Sequence, residues 1–362
     1  MNLALLGTRG IPACYGGFET FAEELSRRLA ARGHRVTVYS RRRHTAPEYQ
    51  GVRLRYLPTI RHKYLDTVAH TFLCTLDLMA HRQDVALYCN AANAVFTCLP
   101  RLAGIPVVLN VDGLERKRRK WNWLARSWYL ASERLATMFP SAVVSDAESI
   151  AGYYRRRYNK ATHFIPYGAE TGKVASMDAL FALGLEPGRY FLYVSRMEPE
   201  NNALAVRQAF ERSSAPVKLV LVGDAPYAQD YIRRVRDTRD ARMVIPGAIY
   251  GRGYHELASH CLAYIHATEV GGTHPALLEA MGRGALVLYL DTEENAEAAA
   301  GAGLPFDQDL TEKIEAVMAM PEAERDTWRA LALTRVRERY SWEAVTDAYE
   351  RLLASLVAQN RD

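Results

Sequence analysis

An apolar run, Leu3 to Leu6, empties into Gly7-Thr8-Arg9-Gly10-Ile11-Pro12-Ala13-Cys14-Tyr15-Gly16-Gly17-Phe18-Glu19, after which Phe18, Phe21, Leu25 and Leu29 recur at helical spacing. Gly33 stops that helix, and Arg35-Val36-Thr37-Val38-Tyr39 reads as a second strand, so the chain opens with a β-α-β unit. Further apolar strands are predicted at 107–110, 190–194, 218–222, 243–245, 262–266 and 285–290. Helical stretches lie between the later ones, one running through Phe210 and one opened by Pro275. Strands alternating with helices imply parallel sheets covered on both faces. Two such sheets, joined near residues 165 to 190, leave a cleft between them.

A strand, a glycine loop and a helix start make an anion site, because free N–H groups and the helix dipole favour a phosphate there. The spacing argues against NAD. Arg9 takes the place of the second required glycine, and the second strand ends in Ser40-Arg41-Arg42-Arg43 without an acid for a ribose. Those arginines leave NADP as an alternative. A ligand-free turn explains one or two glycines but not four with a proline and an arginine.

The 362 residues suffice for two domains, each with its own core. The longest apolar runs are interrupted, as by Asp77 within 71–80, so no membrane span is expected. The first residues enter a strand directly and read as no secretory signal. Five cysteines without CxxC or metal spacing suit a reduced, cytoplasmic chain.

Charge changes the picture. Residues 1–170 contain 25 Lys+Arg and 13 Asp+Glu, net +12, and the remainder nets −7. Arg116-Lys117-Arg118-Arg119-Lys120 runs into Trp121 and Trp123, a mixture that suits a peripheral site on an anionic membrane surface. Nucleic acid is disfavoured, since the run fits none of the usual modules. The bland reading is a solvated basic face with its tryptophans in the core.

Five segments in order, GTRGIPACYGGFETFAEEL, VDGLERKRRKW, IPYGAE, YVSRMEPENN and HATEVGGTHPALLEAMGRG, together resemble family 4 glycosyltransferases, in particular the bacterial branch that includes rhamnosyltransferases of cell-surface polysaccharide synthesis. The resemblance implies the GT-B fold: α/β, two Rossmann-like domains with parallel sheets facing a central cleft. It divides the chain into an acceptor domain (1–170), a nucleotide-sugar domain (171–340) and a terminal helix (341–362) that crosses back to the first domain. The implied reaction is retaining transfer of a sugar from a dTDP-, UDP- or GDP-linked donor, without a cofactor, to a glycan or polyprenyl-linked acceptor. A nucleotide-sugar epimerase of the same fold and a non-catalytic nucleotide-binding protein are the alternatives.

A nucleotide sugar leaves a diphosphate behind, so its site must stabilise growing negative charge. Arg196, just past a strand end, and the N–H groups near Gly16 and Gly17 are the candidates. A salt bridge from Arg196 to Glu198 or Glu200 is the competing role. Glu279 is expected to accept from ribose hydroxyls, or else to complement a helix dipole. The family's Glu-x7-Glu has Gly271 where its first glutamate would stand, which shifts the expected sugar contacts to Gly272, Thr273 and His274. Asn201 occupies a position where the family often has a diphosphate-binding lysine. By resemblance Asp112 lies near the reacting sugar, with a structural turn aspartate as the equal alternative. Asp307-Gln308-Asp309 is the sole Asp-x-Asp, and Asp309 with Glu312 reads as a helix cap, so metal independence is expected. Trp342, Val345, Tyr349, Leu352, Leu353 and Leu356 form one helical stripe.

Overall fold

A computed structural model describes residues 1–13, 16–60, 62, 65–119 and 121–360. The chain divides into two compact units, one of residues 1–167 with 342–362, the other of residues 168–341.

The first unit is built on strands Asn2–Leu6 (β1), Arg35–Ser40 (β2), Glu48–Tyr49 (β3), Val52–Tyr56 (β4), Val85–Cys89 (β5), Val107–Asn110 (β6), Ala142–Ser145 (β7) and His163–Phe164 (β8). Their order in the sheet is β3-β4-β2-β1-β5-β6-β7-β8, antiparallel only between β3 and β4. Helices Gly17–Ala31 (α1), Asp66–Ala80 (α2), Cys98–Leu102 (α3), Trp123–Ala136 (α4) and Glu148–Tyr158 (α5) connect them. Leu3 to Leu6 are fully buried, as expected for a central parallel strand covered on both faces. Gly33 follows α1 with φ +87°, a left-handed conformation that ends the helix at little steric cost.

The second unit carries Tyr190–Val194 (β9), Lys218–Val222 (β10), Met243–Gly247 (β11), Ala263–His266 (β12), Val287–Leu290 (β13) and Leu304–Phe306 (β14). They form a parallel sheet ordered β11-β10-β9-β12-β13-β14. Its helices are Asp178–Ala182 (α6), Ala203–Arg212 (α7), Gln229–Arg236 (α8), Gly251–His260 (α9), Pro275–Gly282 (α10), Glu293–Ala299 (α11), Leu310–Ala319 (α12) and Glu322–Arg339 (α13). One expectation is corrected here. Asp309 stands at the N-cap of α12, but its side chain accepts from the Asp307 N–H at 3.0 Å and makes no cap bond.

In each sheet the parallel strands are laid down outward on both sides of one central point, between β1 and β5 and between β9 and β12. The loops leaving two neighbouring strands diverge there, and open α/β sheets bind ligands at that crevice.

The last helix, Trp342–Gln359 (α14), belongs to the first unit. Trp342, Val345, Tyr349, Leu352 and Leu353 are buried and Leu356 is half-buried, so the apolar stripe supplies its packing face. Tyr349 meets Phe21 at 5.3 Å between ring centroids and accepts from Asn110 Nδ2 at 2.9 Å. Arg32, at the end of α1, reaches Asp347 and Glu350 at 2.6 Å and Glu343 at 2.8 Å, and His34 contacts Glu350 at 2.6 Å. Divided by units, the first contains 27 Lys+Arg and 16 Asp+Glu, net +11, and the second nets −6. Arg32→Ala should lower unfolding stability by about 1 kcal/mol, since its partners are partly exposed. The deficit should shrink in high salt, and urea unfolding at two salt concentrations checks both statements.

Candidate functional site

In the first unit the loop after β1 is held largely by the chain's own carboxylates. Glu19, buried on α1, accepts from the Arg9 N–H at 2.9 Å, and Glu23 accepts from the Ala13 N–H at 2.6 Å. Gly7 has φ +90°, and a Cβ there would lie 2.3 Å from the Cys89 carbonyl oxygen, so only glycine lets this loop meet the end of β5. Gly16 is the N-cap of α1, its carbonyl accepting from the Glu19 N–H at 3.1 Å, and Gly17 is the first helical residue. Arg41, one of the arginines that kept an NADP alternative open, is half-buried and paired with Asp66 at 2.8 Å.

Asp112 follows β6 with φ 55°, an uncommon conformation for a residue with a side chain. Its N–H donates to Asn110 Oδ1 at 3.0 Å. Its carboxyl hydrogen-bonds Asp146, a fully buried acid just after β7. Desolvation pushes the Asp112 carboxyl up, Glu115 adds to the rise, and Arg118 opposes it. The contact with Asp146 works the other way and lowers the Asp112 carboxyl, so burial and Glu115 carry the rise. Tyr167 is buried nearby, edge-on to Phe21 at 5.4 Å.

In the second unit Arg196 sits just beyond β9, 28% exposed, with Glu198 at 3.9 Å. The turn that carries it is tightly built. Asn201 is buried, and its amide Nδ2 donates to the Arg196 carbonyl at 2.6 Å while the Tyr193 hydroxyl donates to the Asn201 carbonyl. The buried Asn201 amide, a donor-binding candidate in the sequence, thus braces the turn that carries Arg196. Gly223 lies beneath it, and a Cβ there would be 1.8 Å from the Ser195 carbonyl oxygen.

Asn202 ties this turn to the loop after β12, donating to the Ala267 carbonyl at 2.9 Å and to Glu269 Oε1 at 3.0 Å. That loop ends in buried Gly271, Gly272 and Thr273 and in half-buried His274, the N-cap of α10. A Cβ on Gly271 would lie 2.2 Å from His274 Nε2. Glu279, half-buried on α10, accepts from the Tyr254 hydroxyl and adds to the upward pull that burial exerts on that phenol. Tyr193, Glu279 and the Gly271–His274 loop thus collect around the β9/β12 switch point, as do three residues the sequence reading did not single out: Tyr254, His266 and Asn295.

The basic run is divided by its surroundings. Arg118 is buried and paired with Glu115 at 2.5 Å, so it does not belong to an outer surface, correcting that expectation. Arg116 bonds buried Glu133 at 2.9 Å and the Tyr153 hydroxyl at 3.0 Å. Trp121 is half-buried against Tyr129 at 5.5 Å. Lys117, Arg119 and Trp123 are exposed, Trp123 to 73%. Lys120 lies outside the described residues. Among the described residues no helix is long and apolar enough to cross a membrane, and no three His, Cys, Asp or Glu side chains are grouped to hold a metal.

These two units define the GT-B class of α/β folds, with solved glycosyltransferase structures matching along the whole chain. Residues 15–173 match a family model described as Glycosyltransferase Family 4, and residues 188–320 match one described as Glycosyl transferases group 1. Sucrose-phosphate synthase from Thermosynechococcus elongatus is similar with a TM-score of 0.82 at 20% identity, covering 99% of each chain. Anabaena HepE in complex with UDP-glucose has a TM-score of 0.80 at 17% identity, covering 98% of this chain and 100% of that one. WaaG, a glycosyltransferase involved in lipopolysaccharide biosynthesis, has a TM-score of 0.73 at 17% identity, covering 96% and 99%. No curated protein sequence matches the chain.

The raised Asp112 carboxyl has a sign that can be checked. The folded chain keeps this proton to higher pH than the unfolded chain, so stability is lost as pH rises from about 4 through the raised native value. Asp112→Asn removes the titrating carboxyl and with it that loss. Its urea midpoint should exceed that of the parent at pH 7 and converge with it near pH 4; a variant weaker at pH 7 contradicts a raised Asp112 carboxyl. Gly223→Ala should cost roughly 1–3 kcal/mol through overpacking against Ser195, read by the same unfolding assay.

Proposed function

We propose that this chain is a retaining, metal-independent glycosyltransferase that moves one sugar from a nucleotide-diphosphate donor to a glycan or polyprenyl-linked glycan, with rhamnose the sugar its sequence resemblance favours. The observation that carries the donor half is the pair of loops at the β9/β12 switch point. Arg196 stands on one and Gly272, Thr273 and His274 on the other, and Asn202 binds the two loops together. The structures of HepE with UDP and with UDP-glucose support a nucleotide-sugar donor by analogy of fold.

The chemistry follows from charge. As the bond from sugar to diphosphate breaks, negative charge grows on the leaving oxygens, and Arg196 offsets it. Its ion pair to Glu198 is long enough to be exchanged for a phosphate. Glu279, steadied by Tyr254, accepts from the ribose hydroxyls. Gly16 and Gly17 supply helix N-terminal N–H groups toward phosphate, and Asp112 contacts the acceptor or the reacting sugar. Arg196→Ala should cut turnover at saturating donor about 100-fold or more, equivalent to roughly 3 kcal/mol. Its unfolding midpoint should stay within about 1 kcal/mol of the parent. Glu279→Ala should instead weaken nucleotide binding, by roughly 1.5–3 kcal/mol in calorimetry. Nucleotide release that requires an acceptor is the transferase signature; donor isomerisation without acceptor would establish an epimerase, and nucleotide binding without turnover a binding protein.

A peripheral cytoplasmic location on an anionic membrane is proposed for the first unit. Among the described residues, the exposed large apolar side chains are concentrated between Tyr56 and Met138, including Phe72 and Leu76 on α2 and Trp123, Leu124 and Trp128 on α4. Lys117, Arg119 and Arg126 lie among them in sequence, and a pocket of about 390 Å³ is lined by Arg116, Lys117, Arg126, Ser127 and Leu130. Each cation near an anionic surface contributes about 1 kcal/mol. Neutralising Lys117, Arg119 and Arg126 together should abolish low-salt co-sedimentation with phosphatidylserine vesicles, and Trp123→Ala should remove the salt-resistant part. A parent protein that ignores these vesicles at low salt overturns the membrane reading.

A further inference from the structure

The unexplained group in the second unit is an imidazole pair. His266, the last residue of β12, and His274, the N-cap of α10, lie 4.9 Å apart between ring centroids. His266 is 3% exposed, stacks on Tyr264, and has no hydrogen-bond partner at Nε2. Burial holds it well below the usual histidine range, with His274 adding to the effect, so it remains neutral. His274 Nδ1 lies 2.7 Å from Asn295 Oδ1.

Asn295 settles which way these groups point. It is fully buried, and its Nδ2 donates to the Thr268 carbonyl at 3.1 Å and the Leu290 carbonyl at 2.9 Å. Two carbonyls demand the nitrogen on that side of the amide, so Oδ1 faces the imidazole and can only accept. The His274 ring must then carry a proton on Nδ1, and in its neutral form the lone pair stands on Nε2. That nitrogen lies over Gly271, within 2.2 Å of where a Cβ would stand. The ring therefore fills the space that any side chain at 271 would need.

We propose that His274 reads a sugar hydroxyl of the donor through Nε2 as a hydrogen-bond acceptor, with Asn295 the positioning residue that fixes its tautomer and Gly271 kept bare to make room for the ring. This rests on the donor-site reading above and adds to it the polarity of the contact. A glutamate at 271, as in the family's paired-glutamate motif, and the imidazole of His274 are alternatives that exclude each other here. Restoring the acid alone would displace the ring and leave Asn295 without its donor.

The experiment compares two amides that imitate different halves of the ring. The amide nitrogen of His274→Asn falls near Nδ1 and keeps the bond to Asn295; the terminal amide of His274→Gln falls near Nε2. For each, calorimetry measures affinity for UDP, dTDP and GDP and for the corresponding sugar nucleotides, the ratio of the two giving the sugar increment. His274→Asn should keep the melting temperature and the free-nucleotide affinity while reducing the increment tenfold or more, and His274→Gln should keep part of it. Gly271→Ala should reduce the increment as His274→Ala does, with the double variant no worse than either. Nitrogen-15 NMR should report an Nδ1-protonated His274, and its Nε2 resonance should move with sugar nucleotide but not with free nucleotide. An unchanged increment in His274→Asn, or an Nε2-protonated ring in the parent, overturns the assignment. Absence of any nucleotide binding by the parent overturns the donor-site reading itself, an outcome distinct from intact nucleotide binding with an unmoved increment.

Discussion

Parallel pairing is the constraint on which both units depend. When neighbouring strands run the same way, every strand leaves the sheet at the same edge, and the loops there are the only parts free of the demand to bury a side chain on each face. Chemistry collects at that edge, and most where the order of strands reverses. Arg196, His266 and the Gly271–His274 loop lie at one reversal, and the loop from Gly7 lies at the other. Glycines make these meetings possible. Gly7 against Cys89, Gly223 against Ser195 and Gly271 against His274 are all positions where a single methyl group would collide with the residue it faces.

The fold was legible at several of the apolar runs buried on both faces, although the fully buried Val85–Cys89 was not read as a strand. The strands 107–110, 190–194 and 218–222 were read to the residue, because Val, Leu, Ile, Phe and Tyr in succession have few other places to go. Val52–Tyr56 was missed: it reads VRLRY, its arginines turn outward near the sheet edge, and the remaining apolar positions are too few to stand out. The starts of β12 and β13 were read early by one and two residues, since hydrophobicity continues past the ladder into the preceding turn. Residues 197–202 lead into the helix through Phe210 by way of a 3-10 turn, Pro199–Asn201.

The candidate site was less legible, and for a different reason. Loop glycines and an arginine past a strand end are local signals, visible in sequence. Asn295 and Asp146 matter only because of partners 21 and 34 residues away, His274 and Asp112, and nothing in their own neighbourhoods marks them. Charge misled in the opposite sense. A run of five cations reads as one exposed face, yet Glu115 and Glu133 draw Arg118 and Arg116 inward and leave the neighbours outside. A linear motif carries no information about which of its members will find a carboxylate.

The placement of α14 bears on the order of assembly during synthesis. Residues 168–341 are contiguous and have all their strands once they have left the ribosome, whereas the unit that begins the chain lacks the helix that covers Phe21 and Asn110 until the last residues emerge. The part made first is thus completed last, and until then its unfilled apolar seat is the surface most exposed to premature association.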